Sequence, residues 1–187
     1  EMCIRDSDKS KCTPELLEFF SFLRAPRMPL FWEEYDRGTS TLAEVTAAIS
    51  EMTGRSCETC AAVLRLAVDL QEPVRPTERL VGDLKAAGYK LYVLSNMSRE
   101  FIDFLRRFPV YGLFDGEVVS CEERTVKPEP RIYEILLERY GLTPSETLFI
   151  DDREMNIEAA AALGIRGFLF DHRDPDAACD ALRERLL

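Results

Sequence analysis

The chain has no apolar run long enough to cross a bilayer. Stretches such as VLRLAVDL and KLYVLS fall well short of the roughly 20 residues a spanning helix needs. Basic charge is also scarce: 24 Lys and Arg stand against 34 Asp and Glu, a net charge of -10. A surface of that sign repels polyanions, so neither nucleic acid nor an anionic membrane is an expected partner. There is one histidine, His172, and one lone CxxC, Cys57 to Cys60, with no second pair. That set is too thin for a zinc or dithiol centre, and the two cysteines read as ordinary residues at a helix start. No signal peptide is expected ahead of the six cysteines (Cys3, Cys12, Cys57, Cys60, Cys121, Cys179). Reduced thiols and a cytoplasmic location are therefore the expectation.

What the chain does have is enough length and apolar content for a core. Its 187 residues, 46% hydrophobic, suit one compact α/β domain carrying a modest insertion. From Thr13 to about Leu70 the apolar residues recur at spacings of three and four, as in Leu16, Leu17, Phe19, Phe20 and Leu23, then Leu42, Val45, Ala48 and Ile49. No strand signal interrupts them, and the segment reads as a small bundle of helices. Beyond Pro73 and Pro76 the period changes. Helices near 77–87, 98–107, 130–140, 154–163 and 175–186 alternate with the short apolar runs KLYVLS, GEVVS, TLFIDD and GFLF. That alternation predicts an α/β fold with a doubly wound parallel sheet. Gly88, Gly141 and Gly164 each close a helix just ahead of a strand.

Three strands end in polar residues at the carboxyl edge, where open α/β sheets bind ligands. LYVLSNMS sets Ser95 and Asn96 past the first, a pair that would serve equally as a helix cap. VVSCEERTVKPEPRIY holds Lys127 extended ahead of Pro128, near the top of the sheet unless it is an ordinary surface lysine. TLFIDDREMNIEAAAALG ends its apolar run in Asp151 and Asp152. Adjacent carboxylates there repel each other unless a cation or hydrogen-bond donors hold them, which gives this pair the sharpest functional meaning.

Ser-Asn, then Lys-Pro, then Asp-Asp with Asn156 four residues on, each after a successive strand, resembles motifs two to four of the haloacid dehalogenase-like (HAD) hydrolase superfamily. The resemblance covers about residues 74–172 and implies a Rossmann-like core at 74–187 with an inserted helical cap at 8–73. FWEEYDRGTSTLAEV, in that cap, is similar to phosphatases related to bacterial α-glucose-1-phosphate phosphatase. The family's first motif is a nucleophilic Asp with a general-acid Asp two residues later, on a buried strand. Asp6 and Asp8 have that spacing, but Glu1-Met2-Cys3-Ile4-Arg5 before them is no apolar strand. Residues 1–7 match a translation of GAG ATG TGT ATA AGA GAC AG, which resembles a transposase end sequence used in DNA sequencing. They are expected to be adapter readthrough, Asp6 and Asp8 a decoy, and the first core strand missing.

The resemblance implies a phosphatase acting on a small phosphorylated metabolite with Mg²⁺. Asp152 would hold the cation, with Asp151 and Asn156 acting through water or by orienting neighbours. Lys127 would offset charge on the nucleophile and phosphoryl group, and Ser95 with the Asn96 backbone N–H would bind phosphate oxygens. Phe31, Trp32, Glu34, Tyr35 and Arg37 are cap candidates for substrate contact, with cap core as the plainer reading of the aromatics. Three rivals remain open. A 2-haloacid dehalogenase shares the fold and needs no cation. A response-regulator receiver orders its acidic pair and Lys the other way round. A binding module would use the fold without chemistry, and the chain as written, lacking its first strand, is expected to be inactive.

Overall fold

The computed structural model describes residues 19–21 and 28–187; Asp6 and Asp8 lie outside them. Three helices come first, α1 (Leu30–Arg37), α2 (Leu42–Thr53) and α3 (Cys57–Asp69). Their ends follow local chemistry. Gly38 and Gly54 close α1 and α2 with φ of 74° and 69°. Thr41 opens α2 in a reciprocal cap with Glu44, and Ser56 accepts from Thr59 N at the start of α3.

The alternating region then appears as α4 (Arg75–Ala86), β1 (Tyr92–Ser95), α5 (Arg99–Leu105), β2 (Gly116–Val119), α6 (Ser120–Glu123), α7 (Pro130–Tyr140), β3 (Leu148–Asp151), α8 (Glu154–Ala162), β4 (Arg166–Leu169) and α9 (Pro175–Leu186). Each expected helix and strand is present within a residue or two. The single turn α6 is an addition, made where the chain leaves β2 and bends back under the first helices.

The strands form two parallel pairs: β1 with β2, Ser95 opposite Val119, and β3 with β4, Asp151 opposite Leu169. Side chains show that both sets belong to one layer. Tyr92 and Leu94 of β1, Val118 of β2 and Phe149 of β3 pack in one apolar cluster with α7 and α8. Leu91, Leu148, Phe168 and Phe170 pack in another with α4 and α9. Alternate strand residues therefore feed two helical faces, the three-layer arrangement of a doubly wound fold. Among the described residues the sheet is interrupted between β1 and β3. Ile150, within β3, is consequently 38% exposed, although its neighbours Phe149 and Asp151 are buried.

The first helices do not form a separate core. Trp32, Tyr35, Val45, Ile49, Cys60, Leu64 and Ala67 join Met97, Phe101, Ile102, Leu105, Val119 and Cys121 in one cluster. Met97 and Cys121 lie just past the carboxyl ends of β1 and β2, so α1 to α3 cover that end of the first strand pair. Gly38 shows how close the approach is: a Cβ there would lie 2.4 Å from the Cys121 carbonyl oxygen.

Candidate active site

The carboxyl rim is assembled from three chain segments. Ser95 is the last residue of β1, Asp151 the last of β3, and Lys127 comes from the loop between α6 and α7. The Lys127 ammonium donates to Asp151 Oδ2 at 2.6 Å and to the Leu94 carbonyl at 3.0 Å, so one side chain spans the break between β1 and β3. Both members of the ion pair are sealed from water, at 2% and 3% side-chain exposure.

A buried pair of this kind is held only if its remaining polar atoms are also satisfied. Asp151 Oδ1 accepts from Arg153 N and Asn156 Nδ2, both at 2.9 Å. Burial alone would raise the Asp151 carboxyl, but the Lys127 charge, its hydrogen bond, the Asn156 amide and the Arg153 N–H hold it below the ordinary range. Asn156 is itself 1% exposed, and its backbone carbonyl accepts from Tyr133 Oη at 3.0 Å. Asn156 thus holds one oxygen of Asp151 while the Lys127 ammonium holds the other.

Asn96 does something the sequence did not suggest. Its side chain grips the Lys127 backbone twice, accepting from Lys127 N at 2.7 Å and donating to Lys127 O at 2.9 Å. The helix cap is left to Ser98, which occupies the N-cap of α5. Asp152 follows directly on β3, its carboxylate mostly buried, with His172 Nδ1 3.7 Å from Oδ2. His172, which the sequence offers only as a lone histidine too thin for a zinc centre, is brought to the rim by the loop after β4.

The cap candidates divide. Trp32 and Tyr35 are 6% and 3% exposed, and Trp32 meets Phe20, Tyr35 and Phe101 edge-on. Tyr35 Oη donates to Glu100 at 2.6 Å. These two are core, which removes them from the substrate contacts. Arg37 is ion-paired to Glu33 and Glu129 and is a structural contact as well. Phe31 packs at the edge of the same cluster, and Glu34 is exposed. Glu129 was missed, and its place two residues after Lys127 was the available signal.

A parallel three-layer fold, whose strand-end serine, lysine and paired aspartates meet at one rim, defines a HAD-type hydrolase core. Residues 26–164 match the family of haloacid dehalogenase-like hydrolases, and the chain belongs to it. It is 29% identical over 154 residues to the sesquiterpene phosphatase astK of Aspergillus oryzae, covering 82% of this chain and 78% of that one. It is 33% identical over 85 residues to (S)-2-haloacid dehalogenase 1 of a Pseudomonas strain, covering 45% of this chain and 37% of that one. A solved HAD family enzyme of Bacteroides thetaiotaomicron, an aspartate-to-alanine variant in complex with magnesium and inorganic phosphate, superposes with a TM-score of 0.67. Its sequence is 26% identical, over 88% of this chain and 87% of that one.

Proposed function

We propose that the protein is a Mg²⁺-dependent phosphatase of small phosphate monoesters, a sugar phosphate in particular, working through an aspartyl-phosphate. The observation that carries this reading is the division of labour between the two aspartates. Lys127 is paired with Asp151, and Asp152, one residue on, sets a second carboxylate at the rim beside His172. A dehalogenase, which needs no cation, has no use for that second carboxylate.

Among the described residues no group of three or more His, Cys, Asp or Glu side chains is arranged to hold a metal. Mg²⁺ does not require one, since it binds through one or two carboxylates together with water and phosphate oxygens. Asp152 fits that donor set. When bound, the ion would screen the substrate's negative charge from the surrounding carboxylates.

The sheet's interruption between β1 and β3 is where we place the strand that carries the nucleophile, which would also supply a second carboxylate. There the nucleophilic carboxylate oxygen attacks phosphorus, and the ester oxygen departs with a proton from the acid two residues later. Water then cleaves the phosphoryl–carboxylate bond and returns the nucleophile. Lys127 would offset negative charge on the nucleophile and the transferring group. Ser95 would donate to a phosphate oxygen. Asn96, its side chain occupied by Lys127, has its backbone N–H to offer. The sugar-phosphate class rests on the likeness of residues 31–45 to the α-glucose-1-phosphate phosphatase group. The cytoplasmic location we propose rests on Cys57, Cys60, Cys121 and Cys179, which are free cysteines among the described residues.

The similarity to a haloacid dehalogenase supports the second reading. The two separate in one assay. Release of phosphate from glucose 1-phosphate, abolished by chelator and by Asp152→Ala, supports the phosphatase. Release of halide from 2-chloropropionate in chelator, with phosphate esters untouched, would establish the dehalogenase instead.

A further inference from the structure

The Lys127 loop is held on its other side by a contact that crosses 92 residues of sequence. Arg37, the last residue of α1, lays its guanidinium flat on the Glu129 carboxylate, Nη1 to Oε2 at 2.9 Å and Nη2 to Oε1 at 2.7 Å. Glu33, one turn earlier, steadies the same Arg37 Nη2 at 2.8 Å. Glu129 then reaches back along its own loop. Its Oε2 accepts from Thr125 Oγ1 at 2.7 Å and from Val126 N at 3.3 Å, the two residues immediately before Lys127.

An ordinary surface ion pair is worth little, because long side chains lose entropy and water screens the charge. This one differs in geometry. Arg37 is forked onto Glu129 in the bidentate form that lysine cannot reproduce, and Glu129 gathers four donors, two from Arg37 and two from its own loop. Its base is fixed too: the Asp36 carbonyl accepts from Ser120 Oγ at 2.5 Å, and Gly38 sits against the backbone of Cys121. Lys127 thus stands between two clamps, Asn96 on its own backbone and Glu129 on the two residues before it.

We propose that Arg37 is a positioning residue for Lys127: through Glu129 it fixes residues 125–127, so the lysine is in place only when α1 is docked. The inference rests on the phosphatase reading for the lysine's catalytic use, but not for the coupling itself. A substrate-driven movement of the first helices would then be felt at the reaction centre through this one carboxylate.

The test labels lysines of the full chain with acetic anhydride and follows each by mass spectrometry. In the unsubstituted protein Lys127 should be protected, while Lys90, at 71% side-chain exposure, labels freely. Arg37→Gln should raise the Lys127 labelling rate on the order of tenfold through local opening of the loop, leaving Lys90 unchanged. Arg37→Lys should fall between the two. Thr125→Val cuts the loop side of the contact without touching α1, and should raise Lys127 labelling in the same direction by less. Unchanged Lys127 labelling in Arg37→Gln, with near-ultraviolet dichroism intact, overturns the proposal. Should Arg37→Gln unfold, Thr125→Val decides: a rise confined to Lys127 supports the coupling and no rise overturns it. Because labelling needs no turnover, a chain that proves not to be a phosphatase can still pass. In an active form, Arg37→Gln should lower kcat with KM within about twofold, since it removes positioning and not substrate binding.

Discussion

Replacing Lys127 by Met tests the buried ion pair on which the site is built. Met keeps most of the apolar stem and removes the ammonium, leaving Asp151 with the Arg153 N–H and Asn156 amide alone. Removing one partner of a buried pair typically costs about 3–5 kcal/mol. The structure sets a ceiling, because Asp151 can take up a proton. From an ordinary carboxylate pKa near 3.9 to pH 7 is about three units at 1.36 kcal/mol each, so that escape costs about 4 kcal/mol. The lost bond to the Leu94 carbonyl adds about 1 kcal/mol at any pH.

The sign of the pH dependence follows. In the parent chain Asp151 is held below its ordinary range, so it stays ionised, and its contribution persists, above about pH 4. In Lys127→Met the buried carboxyl has lost its cation and its pKa rises, so the folded variant gains a proton as pH falls and regains relative stability. At pH 5 protonation costs only about 1.5 kcal/mol, and the deficit should shrink by about 2 kcal/mol or more relative to pH 7. Urea unfolding at both pH values reads this directly, and Lys127→Met with Asp151→Asn should restore most of the loss. If Lys127→Met proves too unstable to fold at pH 7, the double variant should still fold. A loss below about 1 kcal/mol at pH 7, or one independent of pH, would refute the buried pair as a structural element.

Two further outcomes are expected. Gly38→Ala and Gly54→Ala both place alanine at positive φ, for about 1–2 kcal/mol each, but only Gly38 also meets a backbone, at Cys121. Urea midpoints should therefore fall further for Gly38→Ala, and equal losses would contradict the close docking of α1. Arg37 first, against the opposing effect of burial, then Thr125 and the Val126 N–H hold the Glu129 carboxyl down to about 2. Its contribution is therefore complete above the ordinary value near 4.5 and lost between there and about pH 2. Trp32 fluorescence, on α1, should report an acid transition in that window that is absent in Arg37→Gln; an identical transition in both would remove Glu129 as its origin.

The alternation of period in the second part of the chain announced β1 to β4 and their helices, because each strand is a short apolar run stopped by polar residues and the helices ahead of β1, β3 and β4 are closed by Gly88, Gly141 and Gly164. Ser95 and Asp151 end their strands at the carboxyl edge for the same reason, and Lys127 bonds there to Asp151 and to the Leu94 carbonyl. What local pattern could not show was which partners distant residues would find. Arg37 looks like any helix-terminal cation until the fold brings Glu129 to it. Asn96 looks like a cap until Ser98 takes that position and frees its amide for the Lys127 backbone. Trp32 and Tyr35 carry the composition of a binding surface, and only the packing of α1 on Phe101 and Glu100 assigns them to the interior.

The central proposal is that Ser95, Lys127, Asp151 and Asp152 at the rim serve a phosphatase whose nucleophile is not Asp6. It is tested most directly by expressing two proteins side by side. One is the chain as written, and the other has residues 1–7 replaced by the upstream sequence recovered from an independent clone. Both are assayed with Mg²⁺ and glucose 1-phosphate. The account predicts phosphate release from the extended protein alone, lost in chelator. Turnover by the chain as written, abolished by Asp6→Asn, would contradict it.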